Sequence, residues 1–317
     1  MPQLPVLALD VGGTKLAAGV VSADGSLHSF RSTETHVADG PATVIERLVD
    51  LARKALAEAG QPEVAAVGIG CGGPLDPLNG VILGPPGLPG WDEVPLGPLV
   101  HARFGVPTYV QNDATAAALG EHRWGGWDVR NLVYLTVSTG FGGGVVADGK
   151  LFTGSANQGG ELGHVVVDWQ GRYCGCGARG CAEAYVSGTS IAKRAVEALG
   201  GRPDSTLASL PVVTAKDVVE HARSGDSLAR EIWDETVAML GRMVAVIINI
   251  CEPELVVLGG GVTRAGSYLL DPVREAALRQ AMPPAAKACD VVLSHHGDAV
   301  GVFGAAAIAY HQLESGA

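Results

Sequence analysis

The chain has no block of Lys or Arg, and its 22 basic residues are outnumbered by 33 acidic ones, for a net charge of −11. A field of that sign repels a polyanion on average, which argues against nucleic acid as a partner. A small anion is still accommodated, because backbone N–H groups bind phosphate without net positive charge. Long apolar runs are also missing. The best candidate, Met243–Ile250, is far too short to span a bilayer. The start, MPQLPVLALDVGG, lacks the basic and apolar regions of a secretion signal. The expectation is a cytoplasmic protein without a membrane partner, where thiols stay reduced. No CxxC pair is present, so a thioredoxin-type redox centre is not expected. Neither a Walker loop nor a dinucleotide fingerprint occurs in its required context, a glycine loop opening a helix.

What is present is glycine, 45 residues in 317, much of it in short clusters. Clusters mark tight turns and close backbone approach to ligands. Val6–Leu9 reads as a strand ending at Asp10, with Gly12 and Gly13 following; Leu16–Val21 is β-like, and Asp24-Gly25 signals a turn. Leu132–Val137, STGFGGG (138–144), Val145–Val146 and Asp148-Gly149 repeat that order. The two segments read as a diverged duplication, each half with a glycine hairpin. A third cluster, Gly259-Gly260-Gly261, follows the strand Leu255–Leu258. Amphipathic spacing predicts a helix over Pro41–Gly60, and Ile232–Ile250 and Gly301–Gln312 also read as helices. Val64–Ile69 and Thr108–Gln111 read as strands, and 74–98 as a structured Pro/Gly loop region. Strands alternate with helices, so the class is α/β. Duplicated halves with hairpins facing one cleft are the arrangement of the two-domain actin-like (ribonuclease-H-like) ATPase fold. The predicted division is 1–112 plus 302–317 and 113–301.

Three constellations carry chemistry. Asp10, Gly12, Gly13, Thr14 and Lys15 join a carboxylate suited to a Mg²⁺-bound water with backbone donors, a hydroxyl and a point charge for phosphate. Taken alone they also describe an ordinary hairpin. Asn112-Asp113 ends a strand and enters a helix. A carboxylate there faces the cleft of an open sheet and can take the proton of an attacking hydroxyl; a helix N-cap is the competing reading. His164, Cys174, Cys176 and Cys181 form H-x₉-C-x-C-x₄-C, a donor set that closes a tetrahedral zinc site; free thiols or a disulfide are the alternatives. Glu161 and Glu183 bracket these ligands and suit sugar hydroxyls, although either alone reads as a surface acid. Cys71, Cys251 and Cys289 lie in apolar segments and read as core.

Together LDVGGTK (9–15), QNDATAAALGE (111–121), STGFGGG, GGELGH (159–164), CGCGARGCAEAYVSG (174–188) and LGGGV (258–262) resemble the ROK family (repressors, open reading frames, kinases) over nearly the whole chain. The resemblance implies Asp113 as catalytic base, and Asn112, Asp113, Glu161, His164 and Glu183 as ligands of a hexose. It implies structural zinc on His164, Cys174, Cys176 and Cys181. It implies ATP with Mg²⁺ on Asp10, Gly12, Gly13, Thr14, Lys15, Ser138, Thr139, Gly140, Gly142, Gly143, Gly260 and Gly261. The implied reaction is phosphorylation of a hexose at its 6-hydroxyl, glucose first and an N-acetylhexosamine as the alternative, in a homodimer. Family repressors carry a winged-helix domain before the core. Here the glycine loop begins ten residues in, so a sugar-responsive regulator is the lesser expectation. Two departures stand out: Ser138 in place of a family glycine, and GPPGLPGW (84–91), which matches the family's Asn-containing loop only loosely.

Overall fold

The computed structural model describes residues 4–316. Its elements in the first half are β1 (Val6–Val11), β2 (Lys15–Val21), β3 (Leu27–Glu34), α1 (Gly40–Glu58), β4 (Val67–Cys71), the short pair β5 (Leu75–Asp76) and β6 (Val81–Ile82), α2 (Leu96–Phe104), β7 (Thr108–Asn112) and α3 (Asp113–Trp124). The second half holds β8 (Leu132–Val137), β9 (Phe141–Ala147), β10 (Lys150–Phe152), α4 (Glu183–Val186), α5 (Gly188–Leu199), α6 (Ala215–Arg223), α7 (Ser227–Cys251), β11 (Leu255–Gly259), α8 (Ser267–Gln280), α9 (Pro283–Ala288), β12 (Asp290–Leu293) and α10 (Val300–Ser315). Among the described residues no helix is long and apolar enough to cross a membrane.

Two five-stranded sheets repeat one plan. The first runs β3-β2-β1-β4-β7 and the second β10-β9-β8-β11-β12. In each, three strands meander antiparallel and two join in parallel. This is the duplicated, actin-like architecture expected from the two glycine hairpins. Each sheet has its own apolar core: Leu7, Leu9, Leu48, Ile69 and Trp91 in the first lobe, Leu135, Val186, Trp233, Ile248 and Leu258 in the second. The parallel register brings the ends of β1, β4 and β7 to one edge. Asp10 pairs with Gly70, Gly70 with Gln111, and Cys71 with Asn112. Loops beyond the carboxyl ends of parallel strands open into a crevice, the usual ligand position in α/β sheets.

Several boundaries shift from expectation. The strand predicted over Val64–Ile69 is β4, Val67–Cys71, and the helix read over Ile232–Ile250 runs from Ser227 to Cys251. The largest change is at STGFGGG. Its three consecutive glycines lie inside β9 rather than in the loop. Tertiary packing overrides their poor strand propensity. A Cβ at Gly144 would come within 2.7 Å of Ala114 O and the Ala118 Cβ, and one at Gly142 within 3.3 Å of the Ala114 side chain. The bare strand therefore lets α3 lie directly on it. Cys71 and Cys289 are buried as read, while Cys251 is half-buried.

Helices α3 and α10 pack backbone to backbone. A Cβ at Gly120 would lie 2.8 Å from Gly304 N, and one at Gly304 2.6 Å from Ala117 N. Neither neighbour is the end of a flexible side chain, so an added methyl forces the helices apart. Overpacking of this kind costs about 1–3 kcal/mol. Gly304→Ala is therefore expected to lower the urea midpoint of unfolding by a corresponding amount. An unchanged midpoint would show that the helices separate without cost.

Candidate active site

Between the lobes lies a cleft of about 1260 Å³, lined by the turns after β1, β4 and β7 on one side and by the second and third glycine loops and the Cys/His segment on the other. The sequence-predicted residues Asp10, Gly12, Gly13, Thr14, Lys15, Asn112, Asp113, Ser138, Thr139, Gly140, Gly142, Glu161, His164, Cys174, Cys176, Glu183, Gly260 and Gly261 all border it. Gly143 and Cys181 do not. Gly143 sits on the opposite face of β9, where a Cβ would collide with the Leu162 side chain at 2.6 Å. The bare position admits Leu162 against the strand. Cys181 is fully buried.

The first wall presents two carboxylates, Asp10 at the end of β1 and Asp113 at the start of α3. The cap of α3 is Asn112. Its Oδ1 accepts from Ala114 N–H at 3.0 Å and Thr115 N–H at 3.1 Å. That leaves Asp113 as the first helical residue, with one oxygen accepting from Ala114 N–H at 2.8 Å. The two residues of the pair thus separate: Asn112 caps the helix, and Asp113 borders the cleft. A Cβ added to Gly70 would be 3.6 Å from Asp113 Cα and 3.8 Å from Asp10 Oδ1, so the two acids flank a single bare position. Burial raises Asp113 above the ordinary carboxylate range, with the Ala114 N–H opposing. Burial, and then the charge of Asp113, push Asp10 up to about 7, against the pull of Lys15. The start of α10 closes over Asp10: a Cβ at Gly301 would meet its carboxylate at 2.4 Å.

The glycine loops surround this pair. Gly13 lies against the Pro/Gly loop, where a Cβ would come 2.5 Å from Gly87 O. Lys15 Nζ donates to Asp298 O at 3.2 Å, and Arg264, just after the third cluster, pairs with the Asp298 carboxylate at 2.6 Å. Asp298 and Arg264 carry no motif of their own, and only the fold brings them to the cleft. The same holds for Pro85, Pro86 and Gly87, which border it from the first lobe. The run of prolines and glycines marked that segment as structured but did not reveal which side chains it opposes.

The second wall holds the Cys/His cluster. His164 Nδ1, Cys174 Sγ, Cys176 Sγ and Cys181 Sγ all lie within 4.8 Å of one another. Cys174 Sγ is 3.7 Å from His164 Nδ1, and Cys176 Sγ is 3.8 Å from Cys181 Sγ. A tetrahedral ion with sulfur at about 2.3 Å places its ligand atoms about 3.8 Å apart. The donor set therefore fits zinc in both chemistry and spacing, and no disulfide joins these thiols. Without an ion, burial pushes the Cys174 thiol up to about 12, whereas the Ala178 N–H lowers Cys176. With Nδ1 turned to the thiols, His164 Nε2 points the other way, 3.9 Å from Glu161 Oε2. A Cβ at Gly73 would touch both Asn112 Nδ2 (3.4 Å) and Glu161 Oε1 (3.8 Å). Polar groups from both lobes thus converge beside Asp113. Burial raises Glu161, with His164 opposing. Glu183 is not a loose surface acid. Its Oε2 accepts from Phe141 N–H at 3.2 Å, and its Oε1 lies 3.6 Å from Cys174 Sγ.

A model of the ROK family matches residues 6–312. A glucokinase of Thermotoga maritima is 38% identical across 97% of this chain and 98% of its own length. An N-acetylmannosamine kinase of Escherichia fergusonii is 36% identical across 96% of this chain and 98% of its own. Among solved structures, a ROK family glucokinase from Streptomyces griseus in complex with glucose and AMPPNP superposes with a TM-score of 0.81 at 33% identity, covering 97% of this chain and 99% of that one.

Asp10 supplies a test of the site's electrostatics that needs no ligand. Its folded pKa of about 7 exceeds the ordinary 3.8, so its ionisation opposes folding. That penalty is complete above about pH 7 and fades as the pH falls toward the unfolded value. Asp10→Asn, which cannot ionise, is expected to raise the melting temperature of the ligand-free protein above pH 7 and to give no gain near pH 4. A pH-independent difference would show that Asp10 is not strained by its charge.

Proposed function

The chain belongs to the ROK family, and from that membership we propose that it is an ATP-dependent sugar kinase acting on the 6-hydroxyl of a hexose, glucose before others. The observation that carries this reading is the placement of Asp113: a half-buried carboxylate across Gly70 from Asp10, in a cleft bordered by glycine hairpins from both lobes.

In this mechanism Asp113 accepts the proton of the 6-hydroxyl as that oxygen bonds to the γ-phosphorus, the bond from that phosphorus to the β,γ-bridging oxygen breaks, and ADP leaves. Its raised pKa makes it a better base than an exposed carboxylate. Asn112, fixed by its cap bonds, keeps Nδ2 for a sugar oxygen; Glu161, Glu183 and His164 Nε2 hold further hydroxyls. Orientation of this kind converts an encounter into a near-unimolecular step. Lys15 and the backbone N–H groups of the hairpins face the phosphates, where they stabilise charge already placed for transfer. Mg²⁺ entering with ATP would offset phosphate charge, and Asp10 would hold it through a bound water. His164, Cys174, Cys176 and Cys181 would hold zinc, which would supply rigidity to the loop between them.

A second reading, an N-acetylhexosamine as acceptor, is favoured by the N-acetylmannosamine kinase relative. It is also favoured by the Pro85–Leu88 wall, which offers no polar side chain. Pocket discrimination by one substituent is modest, so several sugars are expected to react. A coupled ADP-release assay with glucose, mannose, N-acetylglucosamine and N-acetylmannosamine separates the two. Glucose is expected to show the highest kcat/KM, and a preference for N-acetylmannosamine moves the assignment to the second reading. If no sugar stimulates turnover in the folded protein, the kinase reading fails. Polyphosphate in place of ATP tests the donor in the same assay.

Two substitutions test the assigned roles. Asp113→Asn is expected to lower kcat by about 10²–10⁴-fold while sugar binding persists, and an active variant would remove the base from Asp113. Cys176→Ser is expected to lower bound zinc and sugar affinity together. Unchanged sugar affinity in a zinc-free variant would separate the clasp from the site.

A further inference from the structure

We infer that the segment following the Cys/His clasp positions the second glycine hairpin, so that filling the clasp orders the nucleotide site as well as the sugar site. The inference rests on the reading of Ser138–Phe141 as a nucleotide hairpin and makes Glu183 a positioning residue for it.

The tip of that hairpin has little of its own to hold it. Ser138 N–H donates to Gly140 O at 2.9 Å across the turn. Four further bonds reach the tip from one segment outside the hairpin. Phe141 N–H donates to Glu183 Oε2 at 3.2 Å. Gly188 N–H donates to Ser138 O at 2.7 Å. Thr139 O accepts from Thr189 twice, from its N–H at 3.3 Å and its hydroxyl at 2.9 Å. Residues 183–189 thus hold Ser138, Thr139 and Phe141, three of the four tip residues, and a Cβ at Gly140 would lie 3.3 Å from Glu183 Oε2. None of these bonds uses a side chain of the hairpin, so substitution within STGF does not remove them.

The gripping segment begins at the clasp. Cys181 is two residues before Glu183, and its carbonyl accepts from Ala184 N–H at 3.1 Å, starting the short helix α4. Ala182 N–H donates to Val165 O at 3.0 Å, next to His164. At the far end Ser187 caps α5, its Oγ accepting from Ser190 N–H at 3.1 Å. A metal that joins residue 164 to residue 181 therefore anchors the near end of the segment from which Glu183, Gly188 and Thr189 reach the hairpin, while the Ser187 cap holds its far end. Outer contacts of this kind orient what they touch, and their loss is felt at the site they support.

The test uses the full-length protein in three states: zinc-loaded, chelator-stripped and reloaded. Amide hydrogen exchange is followed over 138–141 and 183–189, and binding of Mg²⁺-AMPPNP is measured without sugar. Stripping is expected to speed exchange at Phe141, Gly188 and Thr189 and to weaken the analogue by about tenfold or more; reloading restores both. Protection in β11 is expected to persist, which shows that the lobe stays folded. Glu183→Gln keeps an oxygen for Phe141 N–H and is expected to hold analogue affinity within about threefold, whereas Glu183→Ala loses about tenfold. Unchanged exchange at the hairpin after stripping, or full analogue affinity in Glu183→Ala, overturns the inference. If zinc-loaded wild type binds no analogue, the nucleotide reading fails by itself, and the exchange arm still decides whether clasp and hairpin are coupled.

Discussion

Everything chemical in the cleft depends on where α3 begins. Asn112 ends the last strand of the first sheet and turns the chain by accepting two N–H groups of the helix. Asp113 is then the first helical residue, at the edge where β1 and β4 also end. The other end of the same helix is pressed against α10 at Gly120 and Gly304, and one side lies on the bare strand β9. A helix gripped this way has little freedom to shift, which fixes where the Asp113 carboxylate meets the cleft. The cost of the arrangement is two carboxylates sharing a buried region, which raises both. A cation bound beside the pair would offset that cost.

The second lobe solves a different problem. Its hairpin is largely bare backbone, and a bare backbone has few side chains with which to anchor itself. The anchoring is exported to residues 183–189. Those in turn leave the Cys/His cluster, whose donor atoms already sit at the spacing of a tetrahedral ion. The cluster thus faces two ways, toward Glu161 through His164 Nε2, and toward the hairpin tip at Phe141 through Glu183.

Much of this was legible in the order of residues. The duplication was visible because strand, glycine turn, strand and Asp-Gly turn recur, and the two sheets do share one strand order. The donor set was visible because thiolates and imidazole at short spacing have few other uses. Less legible was which glycines face the cleft. Gly142 borders it and Gly143 does not, because successive residues of a strand point to opposite faces. Reading STGFGGG as a loop hid that alternation. Asp298, Arg264 and the Pro85–Gly87 wall carried no periodic or motif signal, since their role is set by what lies across the cleft.

Consecutive residues carried the chemical inventory: the carboxylates at two strand ends, the Cys/His donor set, the glycine hairpins and the two-lobe plan that repeats them. Those follow from side-chain chemistry and local periodicity, which are written in consecutive residues. Only the tertiary structure decided that Asn112 and not Asp113 caps α3, that Gly143 serves packing, and that Glu183 is tied to Phe141. Each of those is a competition between a local partner and one distant in the chain. Such contests are settled by which groups the folded backbone brings within hydrogen-bonding or van der Waals distance.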